Sequence, residues 1–337
     1  MADVETVLET GVRDAEEYRL LVAVSNPETV DQLLRTARDL ATLRNGSIHV
    51  VSVVDKPYQS PFRLFDDETI RREYASEHSA IIDRAIEIGD DADVEVTGSV
   101  VVARRAVDGI LETVTDVDAD ELLVGWHQST RPTETVLGTT VDALVERAPC
   151  DLLVERIGET ADGVDSVLVP VADSTHAELA TRVGYAIAVA NDARVLVLSV
   201  ATDDADRSRA HENVRTVTEK LTNAAIASDI SGTDERVDGG DVADADDPSH
   251  ERVAEPTVAG VDGTVLTDED VVGAIVDEAE HHDVVAMGAT RGGALRRRLV
   301  GSIAQQVARR SDCTLLLARR WTKPSRLTQL LGRFRRS

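Results

Sequence analysis

Positive charge is scarce in this sequence, and lysine is nearly absent. Among 337 residues, 62 are acidic and 36 are basic, which gives a net charge of −26. The lysines are Lys56, Lys220 and Lys323. Such an acidic surface repels nucleic acid, which we therefore exclude as a partner. Because the acidic residues are spread along the chain, we interpret the composition as typical of proteins from a salty cytoplasm; the alternative is an acidic binding surface.

Cysteines and long apolar runs are also few. Cys150 and Cys313 are the two cysteines, so the sequence contains neither a disulfide framework nor a cluster of metal ligands. No run approaches the roughly 18 apolar residues that cross a bilayer. Residues 1–17 are acidic and lack the apolar segment of a signal peptide. We therefore predict a cytoplasmic protein without a metal site.

An internal repeat divides the chain into two similar halves. Residues 20–24 recur at 167–171, an offset of 147, whereas residues 148–154 recur at 311–317, an offset of 163. We assign the extra length of the second copy to residues 231–256, which are rich in Asp and Gly and which we predict to be a mobile acidic loop. The predicted divisions are an acidic N-terminal extension (1–17), a first domain (18–156), a linker (157–164), a second domain (165–319) and a basic amphipathic tail (320–337).

Apolar residues follow two periodicities in each copy. Short runs such as 48–54 and 195–200 are almost continuously apolar, which is typical of buried parallel strands. Between such runs, apolar residues recur every three or four positions, which indicates helices. Two such faces are Leu33, Leu34, Ala37, Leu40 and Ala41, and, as one helix, Ile70, Tyr74, Ile81, Ile82 and Ala85. The alternation predicts an α/β fold of two doubly wound, Rossmann-like domains, each with a five-stranded parallel sheet.

A pair of glycines follows the fourth predicted strand of each copy. The pairs, each spaced by 13 positions and followed by a hydroxyl residue, are Gly125 with Gly138 and Thr139, and Gly288 with Gly301 and Ser302. A glycine after a strand lets a ligand approach the backbone, and a helix start beside a hydroxyl suits phosphate oxygens. The alternative is that the glycines only let each loop turn, while Thr139 and Ser302 act as ordinary N-caps.

This spacing resembles the motif of the universal stress protein family. In that motif, Gly, two residues, Gly, nine residues, Gly and then Ser or Thr bind ATP. The resemblance covers both halves of the chain. The first copy departs from the motif at Gln128, where the second glycine belongs, and the second copy departs from it at Arg291, which Gly292 follows directly. Both departures weaken the ATP site that the resemblance implies.

ATP-binding members of the family also have an aspartate just after the first strand. Here the matching positions are Ser25 and Ala172, although Asp173 follows Ala172 directly. The second half therefore keeps more of the implied site. We expect it to bind nucleotide weakly through Ala172, Asp173, Gly288, Arg291, Gly292, Gly301 and Ser302. The degenerate first site comprises Ser25, Gly125, Gln128, Gly138 and Thr139.

The resemblance implies a stress-response module that binds or senses an adenine nucleotide such as ATP or AMP, with or without Mg²⁺. No catalytic residues are visible, because the triad-like sequence from Ser174 to His176 is better explained as a helix start. In the family the fifth strands usually pair, so we expect the halves to form an intramolecular pseudo-dimer, which a further homodimer would extend. The alternative function is a nucleotide-independent module that regulates a membrane transporter, such as an amino-acid permease or cation antiporter, because residues 26–29 resemble transporter-linked members of the family.

The C-terminal tail differs from the rest of the chain in charge. Residues 319–337 contain seven basic residues and no acid. The residues that would form the apolar face of a basic amphipathic helix are Leu327, Leu330, Leu331 and Phe334, with Trp321 just before it. We predict that this tail contacts a membrane surface or a transporter at the periphery. The alternative is that it folds back onto the acidic surface of its own chain.

Overall fold

The computed structural model describes residues 18–56, 65–90, 94–127, 137–157, 163–231, 260–289 and 301–321. Helices and strands alternate through both halves, which confirms the α/β prediction. The extension 1–17 and almost all of the predicted acidic loop lie outside the described residues. The predicted site residues outside them are Gln128, Arg291 and Gly292, and the predicted tail residues outside them are Leu327, Leu330, Leu331 and Phe334.

Each half repeats the same order of elements. The first half comprises β1 (Arg19–Ala23), α1 (Val30–Leu43), β2 (Ser47–Asp55), α2 (Asp67–Tyr74), α3 (Ser76–Asp90), β3 (Val96–Ala103), α4 (Ala106–Asp116), β4 (Glu121–His127), α5 (Thr139–Arg147) and β5 (Asp151–Ile157). The second half comprises β6 (Ser166–Pro170), α6 (Thr175–Asn191), β7 (Arg194–Ala201), α7 (Asp204–Ser231), β8 (Gly260–Thr267), α8 (Val271–Ala279), β9 (Val284–Gly288), α9 (Ser302–Arg310) and β10 (Thr314–Arg319). Among the described residues, no helix has the length and apolar character that crossing a bilayer requires.

The ten strands of the described residues form one continuous sheet, in the order β3-β2-β1-β4-β5-β10-β9-β6-β7-β8. Within each half every pairing is parallel. The halves meet where β5 and β10 pair in antiparallel orientation, with Val154 opposite Leu317. In each half the second and third strands lie on one side of the first strand, whereas the fourth and fifth strands lie on its other side. This reversal creates a crevice at the carboxyl ends of the strands.

The two halves also share their hydrophobic cores. On one face of the sheet α1 packs against α6, and Leu33 of α1 and Val183 of α6 belong to one buried cluster. The cluster on the opposite face likewise combines both halves, for example Leu144 of α5 with Val307 of α9. Because neighbouring strand residues point to opposite faces, both clusters run across the β5–β10 joint. The joint is therefore part of the protein interior.

The predicted single helix through Ile70 and Ile82 is wrong. The chain forms two helices there, α2 and α3, which are separated at Ala75. Ile70 and Ala75 pack with Val54 in a small cluster of their own, whereas Ile81 and Ile82 pack in the large cluster beneath α1. The break allows two apolar faces to point toward different clusters, which sequence periodicity alone does not reveal.

Two residues at predicted boundaries lie in regular elements. Ile157, predicted as the start of the linker, is the last residue of β5 and pairs with His127 of β4. Ser231, predicted as the start of the acidic loop, ends α7. Strand pairing and helix continuation therefore extend beyond the points where the sequence becomes polar.

The shared cores lead to a prediction about stability. Leu317 is 1% exposed, and Leu317→Ala should lower the free energy of unfolding by about 2–5 kcal/mol because it leaves a cavity at the joint. Both halves should unfold in one transition. Urea denaturation followed by circular dichroism measures both quantities.

The matched control is Leu43→Ala, because Leu43 is 39% exposed. Its free energy of unfolding should change by less than about 0.5 kcal/mol. Two separate unfolding transitions in the unmodified chain, or equal losses in the two variants, would contradict a shared core.

Candidate functional site

The second half contains a cavity at the carboxyl ends of its central strands. Its volume is about 480 Å³, and its walls come from the segment after β6, from β7 and β9, and from α7, α8 and the start of α9. The location matches the crevice that the reversal of strand order predicts. Of the predicted nucleotide-binding residues, Ala172, Asp173 and Gly288 line this cavity. Its size is within the range of pockets that hold a cofactor-sized ligand.

Gly288 lies at the point where α6 approaches β9 most closely. A Cβ on this residue would lie 2.8 Å from the backbone nitrogen of Ala177 and 2.8 Å from the carbonyl carbon of His176. Both atoms belong to the first turn of α6, so the lack of a side chain allows the helix to begin directly over the end of β9. Ser174 caps this helix, since its hydroxyl accepts a hydrogen bond from His176 N at 3.1 Å. The prediction of a helix start there is confirmed.

In each half, the hydroxyl residue after the second glycine is the first residue of a helix: Thr139 begins α5 and Ser302 begins α9. Gly301 is the N-cap of α9 and Gly138 that of α5, and neither cap makes a side-chain hydrogen bond. The alternative that Ser302 and Thr139 act as N-caps is therefore wrong. Among the described residues no side chain caps α9, so its first N–H groups can donate to an acceptor from outside the helix. Gly138 has φ of +90°, a conformation that requires glycine, whereas Gly301 has φ of −63°.

Ile303 connects the start of α9 to the cavity. This residue follows Ser302 directly, lines the cavity and is 38% exposed. Gly301 and Ser302 do not line the cavity themselves, although they adjoin a residue that does. The positive end of the α9 dipole thus lies at the cavity margin, where it would attract an anion.

Part of the cavity wall was not predicted from the sequence. Asp206, Arg209, Ala210 and Asn213 of α7 all line the cavity. Asp206 accepts a hydrogen bond from the Thr202 hydroxyl at 2.8 Å and forms an ion pair with Arg209. The four α7 residues recur with spacings of three and four, so they share one helix face. That spacing is the signal that would have identified them.

In the first half, side chains pack against the equivalent glycine, Gly125. A Cβ on Gly125 would lie 3.1 Å from the side chain of Ile157 and 3.4 Å from that of Leu33. Ser52, which matches cavity residue Ser199 in the repeat, donates to Val24 O at 2.8 Å and lies 2.8 Å from Nδ1 of His78. Burial lowers the pKa of His78, which favours its neutral form.

Comparison with known proteins supplies a family and a fold. The profile described as "Universal stress protein family" matches residues 18–156 and 163–319. A solved structure of a universal stress protein from Archaeoglobus fulgidus DSM 4304 is 13% identical, covers 89% of this chain and 97% of its own, and has a TM-score of 0.56. Because the two sequences are only 13% identical, this structural similarity shows a shared fold and nothing more.

Two similar proteins are connected with ion transport. The cytoplasmic domain of a prokaryotic cation chloride cotransporter is 12% identical, covers 93% of this chain and 99% of its own, and has a TM-score of 0.51. The Na(+)/H(+) antiporter NhaS5 of Synechocystis sp. is 22% identical over 162 residues. That match covers 48% of this chain but only 22% of the antiporter, so most of the antiporter has no counterpart here.

The two strand-end glycines provide a matched pair of variants. Gly288→Ala should lower the free energy of unfolding by about 1–3 kcal/mol, because the new methyl group meets backbone atoms of α6 that cannot rotate away. Gly125→Ala should cost less, because it meets side-chain carbons of Ile157 that can change rotamer. Thermal denaturation of both variants tests the difference. A larger loss for Gly125→Ala would contradict the described packing.

Proposed function

The chain belongs to the universal stress protein family, with two family domains in tandem, and from this we propose that its second half binds an adenine nucleotide. The observation that carries the proposal is the cavity of about 480 Å³ where the strand order of the second half reverses. In doubly wound sheets this is where ligands bind. Family membership makes a nucleotide the expected ligand.

The phosphate groups would lie at the start of α9. Uncapped N–H groups and the helix dipole favour an anion there, and the Ser302 hydroxyl would add a donor. We assign Gly301, Arg291 and Gly292 to the same end of the ligand. The adenosine would lie toward the segment after β6, at Ala172 and Asp173, and between β7 and α7.

We assign weaker or no binding to the first half. Ser25, Gly125 and the Gln128 position match the second site in the repeat, but Ile157 and Leu33 lie against Gly125. Gly138 and Thr139 still form an uncapped helix start. We assign to this helix start the attraction of an anion, and to Ile157 and Leu33 a restriction of the space for base and sugar beside Gly125.

The proposed role is binding and sensing, without catalysis. In the parts of the chain that the structure describes, no group of three or more His, Cys, Asp or Glu side chains could hold a metal ion. The hydroxyl of Ser174 serves as a helix cap rather than as a nucleophile. Any Mg²⁺ at the site would therefore arrive with the nucleotide phosphates.

Regulation of a transporter is the second candidate function. It is supported by the likeness to a cotransporter cytoplasmic domain and to part of an antiporter. The base of the tail is anchored, because Arg320 N donates to His176 Nδ1 at 3.0 Å and Trp321 N donates to Asp151 Oδ1 at 2.7 Å. We propose that the basic residues beyond Trp321 contact an anionic membrane surface or a transporter in the cytoplasm, and that pairing of whole chains would bring two tails together.

Charge substitutions at Ile303 test the nucleotide site. Ile303→Glu should weaken AMP and ATP binding about five- to tenfold, because a carboxylate would face the phosphates, whereas Ile303→Lys should not weaken it. Thr140 occupies the equivalent position in the first half, so Thr140→Glu is the matched control and should leave affinity unchanged. Isothermal titration calorimetry on the full chain measures all four proteins.

Two results would contradict this proposal. If the unmodified chain releases no heat with millimolar AMP or ATP, the second half is not a nucleotide site. If Thr140→Glu weakens binding while Ile303→Glu does not, the nucleotide binds in the first half.

Removal of the tail tests the second candidate. A chain ending at Trp321 should lose binding to vesicles that contain phosphatidylglycerol, because the remaining protein is strongly acidic. Co-sedimentation of both chains provides the measurement, with neutral phosphatidylcholine vesicles as control. Equal sedimentation of the two chains would exclude the tail as a membrane contact.

A further inference from the structure

A row of polar residues lies on the buried side of α1. Gln32, Thr36 and Asp39 recur at i, i+4 and i+7, which places them on one helix face. Their exposed fractions are only 8%, 8% and 4%. They face Glu155 of β5, which is fully buried at 0% exposure. We call these four residues the seam cluster, because they lie where the two halves meet.

The fold itself does not require polar residues at these positions. The repeat provides the comparison, because each position has an equivalent in the second half. The equivalents of Gln32, Thr36, Asp39 and Glu155 are, in order, Leu179, Val183, Ala186 and Ala318. All four are apolar and at most 2% exposed. The same backbone therefore packs well without polar groups, and the seam cluster needs another explanation.

A small void separates the seam cluster from the second half. Its volume is about 30 Å³, and its lining includes the seam cluster and Arg35. The opposite wall consists of residues of the second half, including Ile187 of α6, Val284 of β9 and Leu316 of β10. Such a space holds one particle the size of a water molecule.

Glu155 lines the void and has one oxygen without a hydrogen-bond partner among the described residues. Its Oε1 accepts a hydrogen bond from Gln32 Nε2 at 2.8 Å. Its Oε2 is buried and has no hydrogen-bond partner among the described residues. Burial is the main cause that raises the pKa of Glu155 to about 7; the side chains of Gln32 and Thr36 lower the pKa in part, and the nearby Asp39 raises it further. The surrounding groups thus leave the charge of this carboxylate incompletely compensated.

Asp39 is a second buried carboxylate of the seam cluster. It accepts a hydrogen bond from Asn191 Nδ2 at 3.0 Å, and it forms an ion pair at 3.8 Å with Arg38, which is 41% exposed. Burial raises its pKa to about 6. Asn191 is the last residue of α6, so the negative end of that helix dipole also points toward the carboxylate.

The charge balance around the void determines which ligand would fit. Within the lining, Asp39 and Glu155 contribute two negative charges and Arg35 contributes one positive charge, which leaves one negative charge uncompensated there. Arg38, the other cation beside Asp39, lies outside the lining and is 41% exposed, so water screens its charge. A divalent ion would overcompensate it, and Ca²⁺ takes six to eight oxygen ligands while Mg²⁺ retains several waters. Two carboxylates, a hydroxyl and an amide oxygen form a small set of hard oxygen ligands. These features favour a single monovalent ion.

We propose that the seam cluster binds one monovalent alkali cation, sodium or potassium, in the void between the two halves. Glu155 Oε2 and a carboxylate oxygen of Asp39 are the charged ligands, and Thr36 contributes its hydroxyl. The cation links α1 and β5 to the wall formed by α6, β9 and β10. It therefore stabilises the joint independently of any nucleotide.

The test compares the melting temperature of the full chain in sodium, potassium and choline chloride at equal ionic strength. It is performed near pH 8.5, above the pKa of both carboxyls. Because choline is too large for the void, it reports only the screening of surface charge. The melting temperature in sodium or potassium should exceed that in choline by at least about 2 °C. Glu155→Gln should abolish this difference.

Glu121 provides the matched control. It is also a buried carboxylate, at 2% exposure, and its Oε1 likewise has no hydrogen-bond partner among the described residues. It differs in that Arg44 Nη1 lies 3.3 Å from its Oε2, which also accepts from the Tyr18 hydroxyl at 2.9 Å, and in that it does not line the void. Glu121→Gln should retain the cation-specific increase. If Glu155→Gln does not fold, Thr36→Val removes one oxygen ligand at nearly constant volume and should reduce the increase. The sodium NMR linewidth, which broadens on binding, should narrow in the same variants.

Two outcomes would overturn the proposal. Equal melting temperatures in all three salts would mean that the void contains only water or a proton shared by the carboxyls. A cation-specific increase that persists in both Glu155→Gln and Thr36→Val would place the cation elsewhere on the protein.

Discussion

The antiparallel pairing of β5 with β10 is the interaction on which the rest of this structure depends. It converts two five-stranded sheets into one ten-stranded sheet and brings α1 and α6 into contact across the joint. Arg319 reinforces the joint from inside, since its buried guanidinium donates to Ala148 O at 3.0 Å and to Cys150 O at 3.1 Å. Because both faces of each half contribute to shared clusters, neither half is closed without the other.

The two copies differ mainly where a ligand would approach. In the second half, α6 begins directly over Gly288 and the carboxyl ends of the strands stay open. In the first half, β4 and β5 continue to His127 and Ile157, and the side chain of Ile157 then lies against Gly125. The longer strand pair thus brings one large side chain against the glycine of the first half, where the second half has the first turn of α6.

Much of this architecture could be predicted from the sequence, because apolar periodicity reports burial directly. The strands, the strand-end glycines and the helix start after Ser174 follow from local patterns. The α7 wall and the break at Ala75 do not, because they depend on which cluster each helix face meets. Gln32, Thr36 and Asp39 are the clearest case. In sequence they resemble the solvent-facing side of an amphipathic helix, and only the packing of the second half against α1 shows that they are buried.

Helix α6 connects the crevice of the second half to the seam cluster of the first half. Its first turn packs over Gly288 at the crevice, and its last residue, Asn191, hydrogen-bonds to Asp39 in the seam cluster. A helix of 17 residues spans about 25 Å and moves as a nearly rigid rod. A ligand that shifts one end of this rod changes the contacts at the other end. If the crevice and the void are both occupied, thermodynamic linkage then requires any effect of the nucleotide on cation affinity to equal the effect of the cation on nucleotide affinity.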